Sequence, residues 1–263
     1  FGNNGVCGIT TGRLTKIEVG PDNREASRTV LMTDWCQQFG GHSVDDLEFG
    51  SDGALYVSAG EGANFETPDW GQFHGNPCGD PPMEGGMLRA QDARTTADPT
   101  GPSGAVIRID PDTAEAWPTN PWHGDPDPGH ARVVAYGFRN PFRLHADEVS
   151  GKLYVADVGW GTWEEVNAFD LDADEVPNFG WPCFEGDDRQ PTVDAAAIPL
   201  CQSLDDADVT RPSYKYSHRD SLGTGCATGG TSVTGLASVS KNSYAAPFDD
   251  GLFMADYSRQ CIW

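Results

Sequence analysis

No long stretch of this chain sets its apolar residues at helical spacing; they fall in short runs broken by glycine, proline and aspartate. One pattern recurs: Leu47-Glu-Phe-Gly-Ser-Asp-Gly-Ala-Leu-Tyr-Val-Ser58, then Leu144-His-Ala-Asp-Glu-Val-Ser-Gly-Lys-Leu-Tyr-Val-Ala156, then Phe248-Asp-Asp-Gly-Leu-Phe-Met-Ala255. Each predicts a strand, a glycine-containing tight turn and a second, apolar strand. An aromatic residue recurs at matching places, as Tyr56, Tyr154 and Phe253. Between the first two units, Ala105-Val-Ile-Arg-Ile-Asp-Pro-Asp-Thr113 adds another strand and turn.

Such repeats predict an all-β fold, and a β-propeller over a β-sandwich, because a sandwich has no reason to repeat an internal motif. The 32 glycines, 19 prolines and 10% aromatics agree, since they suit short strands and many turns. Segments 64–103 and 181–213 read as irregular and are too long for ordinary connections, so they are expected to cover one face and shape a site. Residues 1–263 are read as a single, partial propeller domain. At roughly 45 residues per blade, less the insertions, they would supply about four or five blades. A six-bladed ring would not close on these residues, so the chain is expected to be part of a longer one.

A formal charge of −23 argues against nucleic acid and anionic membranes as partners. No apolar run approaches the roughly 18 residues of a membrane span. None of the seven cysteines forms a C-x-x-C pair or sits beside histidine at zinc-finger spacing. Their dispersal in loop-like sequence fits disulfides in an oxidising compartment, periplasmic or extracellular. Cys36–Cys78, Cys183–Cys201 and Cys226–Cys261 are compatible pairs, although the sequence leaves the connectivity open; Cys7 is left over.

His42 stands in Gly40-Gly-His-Ser43, directly before a strand, where an imidazole can act as a general base near neutral pH. Glu61 follows the next strand, and an antiparallel return would bring its carboxylate to the same edge. A carboxylate there fixes the tautomer and stabilises the imidazolium. Arg139 and Asn140 precede one strand of the second hairpin, and a carbonyl-rich, acid-flanked loop follows the other. Arginine offers a rigid fork of donors to carboxylates or quinone oxygens, while backbone carbonyls and a carboxylate suit calcium. Read singly, each of these is equally a structural loop residue. Asp170-Leu-Asp-Ala-Asp174 is not an EF-hand, because Glu175 stands where that loop needs glycine and Trp181 where it needs glutamate. No P-loop, G-x-G-x-x-G or G-x-S-x-G occurs, which removes support for nucleotide binding and serine hydrolysis.

In order and spacing, the Gly-Gly-His segment, Ala135-Tyr-Gly-Phe-Arg-Asn-Pro-Phe-Arg143, Asp157-Val-Gly-Trp-Gly-Thr-Trp-Glu-Glu-Val-Asn167 and Asn178-Phe-Gly-Trp-Pro182 resemble the soluble glucose/sorbosone dehydrogenases. These are six-bladed β-propellers that use pyrroloquinoline quinone (PQQ) and calcium. The resemblance runs from about Gly40 to Trp263. It implies oxidation of a sugar hydroxyl, with His42 as base and Glu61 in place of the family's usual aspartate. It implies that Arg139 polarises the quinone carbonyl, that Asn140 holds the cofactor, and that Arg259 lies near the cofactor's carboxylates. Calcium would rest on the carbonyls of Gly159 and Trp160, with Glu165 in support. Val158 stands where the family has glutamine or histidine, and Trp160 where it has proline. Trp160 and Trp163 would either stack on a planar ligand or pack the loop. The electron acceptor is unidentified. Two other readings stand beside this one: a non-catalytic propeller binding carbohydrate or protein, and a calcium-dependent lactonase, which needs Asn, Asp and Glu side chains converging on one ion.

Overall fold

Five antiparallel sheets make up the strand content of the computed structural model, which describes residues 10–263 apart from 224, 228 and 240 and the side chains of Asp34 and His74. Strands β1 (Thr10–Val19) and β2 (Glu25–Gln37) form a long hairpin. A four-stranded sheet follows in the order β3 (Val44–Phe49), β4 (Leu55–Ala59), β5 (Ala105–Ile109) and β6 (Val133–Tyr136). The next sheet begins with β7 (Pro141–Asp147), β8 (Lys152–Asp157) and β9 (Trp163–Asp170). A two-residue ribbon, β10 (Phe184–Glu185) with β11 (Asp188–Arg189), precedes β12 (Tyr214–Ser217), which returns to pair with β9. The last sheet holds β13 (Val233–Ser238), β14 (Leu252–Asp256) and β15 (Cys261–Ile262).

The first two repeat units are β3–β4 and β7–β8. Their turns close on Gly53 (φ 88°) and Gly151 (φ 69°), positions that favour glycine. Asp52 and Asp147 help by accepting the backbone N–H groups of Ala54 and Val149 at 3.0 and 3.1 Å. Every residue of β4 and β5 is buried, because one face packs on Leu14 and Trp35 of the first hairpin and the other on Leu144, Leu153 and Val155 of the next sheet. The third unit departs from expectation. Asp249 Oδ1 accepts Ser243 N at 3.0 Å and Tyr244 N at 3.3 Å, which closes a loop there. Phe248 is therefore in a turn, and β14 takes β13 as its partner.

Strands β3, β7 and β13 lie side by side. Arg143 on β7 reaches Asp46 Oδ1 at 2.9 Å on one flank and Thr234 O at 3.1 Å on the other. The segments that lead into β3 and β7, carrying His42 and Arg139, consequently meet at one end of the sheets. Segments 64–103 and 181–213 are less irregular than expected. They contain a 3-10 helix (Gly86–Arg94) and two short helices (Pro191–Ala195, Pro199–Gln202), and they share a core of Met87, Leu88, Trp181, Phe184, Val193 and Ile198.

Three disulfides are present, Cys36–Cys78, Cys183–Cys201 and Cys226–Cys261, closing 42, 18 and 35 residues. Loops of that size are restrained by roughly 3–4 kcal/mol each in chain-entropy terms. Cys7 lies outside the described residues. Among those described, no helix is long and apolar enough to cross a membrane.

Candidate functional site

The antiparallel pairing of β3 with β4 continues past the strand ends: Gly60 N donates to Ser43 O at 2.7 Å and Gly62 N to His42 O at 2.9 Å. His42 Nδ1 then lies 2.9 Å from Glu61 Oε1. A carboxylate at Nδ1 places the ring proton there and leaves Nε2 with the lone pair. Glu61 is fully buried, and its second oxygen accepts the indole N–H of Trp181. Burial and the charge of Arg139 hold His42 below its ordinary pKa, with Glu61 pulling the other way. The imidazole is thus neutral at neutral pH, the state a general base needs.

Gly60 is the hinge of this arrangement. A Cβ on it would lie 2.6 Å from His42 Cβ and 2.8 Å from Asn140 Oδ1, closer than real atoms approach. Only glycine lets the two side chains meet across the backbone. Asn140 Oδ1 is buried and has no hydrogen-bond partner among the described residues, a costly condition unless a ligand or water supplies one.

Asp157 fixes the Arg139–Asn140 pair by accepting both backbone N–H groups, at 3.0 and 2.6 Å. Burial first, and the charge of Glu165 second, hold its carboxyl well above the usual carboxylate range. Arg139 O accepts Glu61 N at 3.0 Å, which ties the two halves of the site together. The Arg139 guanidinium donates to Val158 O at 3.0 Å, Gly159 O at 2.6 Å and Phe65 O at 3.4 Å. It also lies 5.7 Å from the Trp181 ring centroid, within cation–π range.

The structure places four further residues of the expected site as follows. Val158 turns its side chain into the cluster of Ala156, Val166, Tyr216 and Val233, as burial of an apolar residue dictates, and offers the site only its backbone. Glu165 is committed to the protein, accepting Gly186 N at 2.5 Å and Asn167 Nδ2 at 3.2 Å, and burial raises it to about 7. Trp160 packs on the insertion core, edge-on to Trp181 at 6.1 Å. Arg259 is fully buried, donating to Ser217 O at 3.0 Å and to Asp220 O over the Tyr216 ring; a buried guanidinium takes the nearest carbonyls. The structure thus unites His42, Glu61, Arg139, Asn140 and Gly159, and places Arg259 in a separate network.

Sequence reasoning missed Trp181, Gly60 and Glu185. Trp181 lies in the 178–182 segment of the family resemblance, which the structure shows as a turn: Asn178 Oδ1 accepts Gly180 N, and Gln91 Nε2 donates to Asn178 Oδ1 and Trp181 O, at 2.9, 2.9 and 2.7 Å. Glu185 Oε1 accepts the backbone N–H groups of Trp160, Gly161, Thr162 and Trp163 at 2.9–3.2 Å. A cleft of about 710 Å³ lies elsewhere, lined by residues 93–100, 125–128 and His130, and includes none of these side chains. The dyad and the unpaired Asn140 oxygen lie outside that cleft.

Comparison with known proteins places this geometry in context. The family described as Glucose / Sorbosone dehydrogenase matches residues 9–231. A solved glucose dehydrogenase is similar over 98% of this chain and 60% of its own, with a TM-score of 0.65 at 19% identity. An oxidoreductase of glucose dehydrogenase type from Thermus thermophilus matches over 91% of this chain and 52% of its own (TM-score 0.57, 22% identity). The soluble aldose sugar dehydrogenase of Escherichia coli matches over 94% and 62% (TM-score 0.56, 16% identity). The chain therefore spans little more than half the length of these structures, and at such identities the likeness is one of fold.

Proposed function

This chain belongs to the glucose/sorbosone dehydrogenase family, and on that premise we propose that it oxidises a sugar hydroxyl, aldose or sorbosone-like, with PQQ and calcium as cofactors. The observation that carries the reading is the meeting of the His42–Glu61 dyad with Arg139 and Asn140 across Gly60. The donor set fits a planar, anionic quinone beside a hard cation. Arg139 and the buried, unpaired Asn140 Oδ1 would face the cofactor; the carbonyls of Gly159 and Trp160 would hold the ion only with Arg139, which donates to Gly159 O at 2.6 Å, turned to the quinone. Val158 and Arg259 do not fit the roles the family resemblance gives them, and Glu165 serves the fold.

When bound, the quinone supplies a two-electron acceptor and calcium the charge that orients it. The protein's own part is proton transfer and electrostatics. His42 accepts the substrate hydroxyl proton at Nε2, and Glu61 stabilises the imidazolium through Nδ1–H. Trp181 holds Glu61 in place by its indole N–H. Arg139 keeps a positive charge where negative charge develops on a carbonyl oxygen.

We read residues 1–263 as part of one six-bladed propeller domain, with the sheets begun by β3, β7 and β13 as blades. The disulfides support export to a periplasmic or extracellular compartment. A sugar is the proposed substrate and an unidentified acceptor takes the electrons. The test is turnover of aldoses with an artificial electron acceptor in wild type and His42→Ala. Loss of about 10²–10⁴-fold in rate with quinone binding retained supports the reading; equal rates overturn it. The inward Val158 favours one competitor, a propeller that binds sugar without oxidising it, which predicts no turnover in either protein. A lactonase site draws no support, since the carboxylates of Asp157 and Glu165 serve neighbouring backbone N–H groups.

A further inference from the structure

We propose that Phe65 is a substrate-binding residue, whose ring carries the C–H face of a cyclic sugar while the sugar's hydroxyl meets His42; the inference rests on the dehydrogenase reading above. The polar groups of the site are sealed from solvent: Glu61 is fully buried, and His42, Arg139 and Asn140 are each 6% exposed. Phe65, beside them, is 45% exposed. Its ring centroid lies 6.2 Å from that of His42, with the two planes at 54°. His42 Nδ1 is turned to Glu61, so the substrate hydroxyl must reach Nε2. A ring sugar seated there is large enough to touch an aromatic ring at that distance.

Core packing does not explain the ring, since Phe65 is in none of the hydrophobic clusters among the described residues. It rests instead on the backbone that leads to His42: a Cβ on Gly41 would lie 3.2 Å from Phe65 Cδ1. Polar contacts to the backbone on either side hold it there. Asn64 Oδ1 accepts Glu66 N and Thr67 N at 2.9 and 3.1 Å, and Asn64 N donates to the buried Asp69 at 3.0 Å. Arg139 Nη2 donates to Phe65 O at 3.4 Å. A ring fixed in advance binds without first having to be ordered. A pyranose carries hydroxyls around its edge and C–H groups on its faces. Those C–H groups are weakly positive and the face of an aromatic ring is negative, so the two surfaces attract as water leaves both. An acyclic sugar has no such fixed face.

The experiment measures oxidation of D-glucose and of glyceraldehyde by the intact protein with PQQ, calcium and an artificial electron acceptor. Wild type is compared with Phe65→Ala and Phe65→Trp. The expected result in Phe65→Ala is a glucose KM raised about three- to tenfold, and a smaller rise for glyceraldehyde. The glucose kcat should change less than KM, as when binding common to ground and transition states is lost. Phe65→Trp keeps a flat ring and should bring the glucose KM back towards wild type. Should Phe65→Ala not fold, Phe65→Leu, apolar but without an aromatic face, takes its place. An unchanged glucose KM, an equal rise for both sugars, or a fall in kcat alone would overturn this inference and leave the dehydrogenase reading standing. Wild type that oxidises neither sugar would overturn that reading and this inference with it.

Discussion

Trp181 donates its indole N–H to the Glu61 carboxylate, across 120 residues of sequence, and so holds the partner of the His42 base. The same indole packs beneath Arg139 and against Trp160. A residue of the insertion core therefore reaches both polar halves of the site.

Trp181→Phe keeps a ring in that place and removes only the donor. A buried carboxylate that loses one partner costs about 1–3 kcal/mol. The expected outcome is a loss of that size in denaturant unfolding, together with lower kcat and little change in KM. Unchanged kcat would mean that Nδ1–H of His42 alone holds Glu61.

Gly60→Ala adds one methyl group where His42 and Asn140 meet, 2.6 and 2.8 Å from their atoms. The backbone between Ser43 and Glu61 must then shift. Turnover is expected to fall by about 100-fold, as for a misplacement of roughly 1 Å, and circular dichroism should show the fold retained. Full activity would separate the chemistry from this contact.

His42 titrates below its ordinary value, so the acid limb of kcat/KM is expected below about pH 6.5. Glu61 opposes that shift, so Glu61→Gln should move the limb further down while lowering the plateau rate. An acid limb that rises in this variant would assign the titration to another group.

Asp45 is raised to about 8, by burial first and by the charge of Asp46 second. Its folded pKa thus exceeds its unfolded value of about 3.9, and the native state binds the extra proton. Stability is expected to fall as pH rises between those values and to level off above. Asp45→Asn removes the ionisation, so its melting temperature should gain on wild type from about pH 4 to 8. Parallel melting curves across that range would contradict this.

Local structure was legible in the sequence. The β3–β4 and β7–β8 hairpins follow from apolar runs closed by glycine turns, and the His42–Glu61 pair follows from one antiparallel return over 19 residues. The Phe248 unit misled because a single side chain, Asp249, closes a loop where the pattern suggests a strand. Trp181 and Glu185 were not legible, because their partners are set by how the insertions pack on the sheets. Val158 and Arg259 occupy motif positions, but a motif does not fix which side of the backbone a side chain takes. Burial decided both.

His42, Arg139 and Asn140 are proposed to line a quinone site that uses calcium. The decisive measurement is calorimetric titration of the protein with PQQ, with and without calcium. Saturable, calcium-dependent binding that weakens in Asn140→Ala is the predicted result. A folded protein that binds no quinone at any calcium concentration would mean that these residues do not form a quinone site.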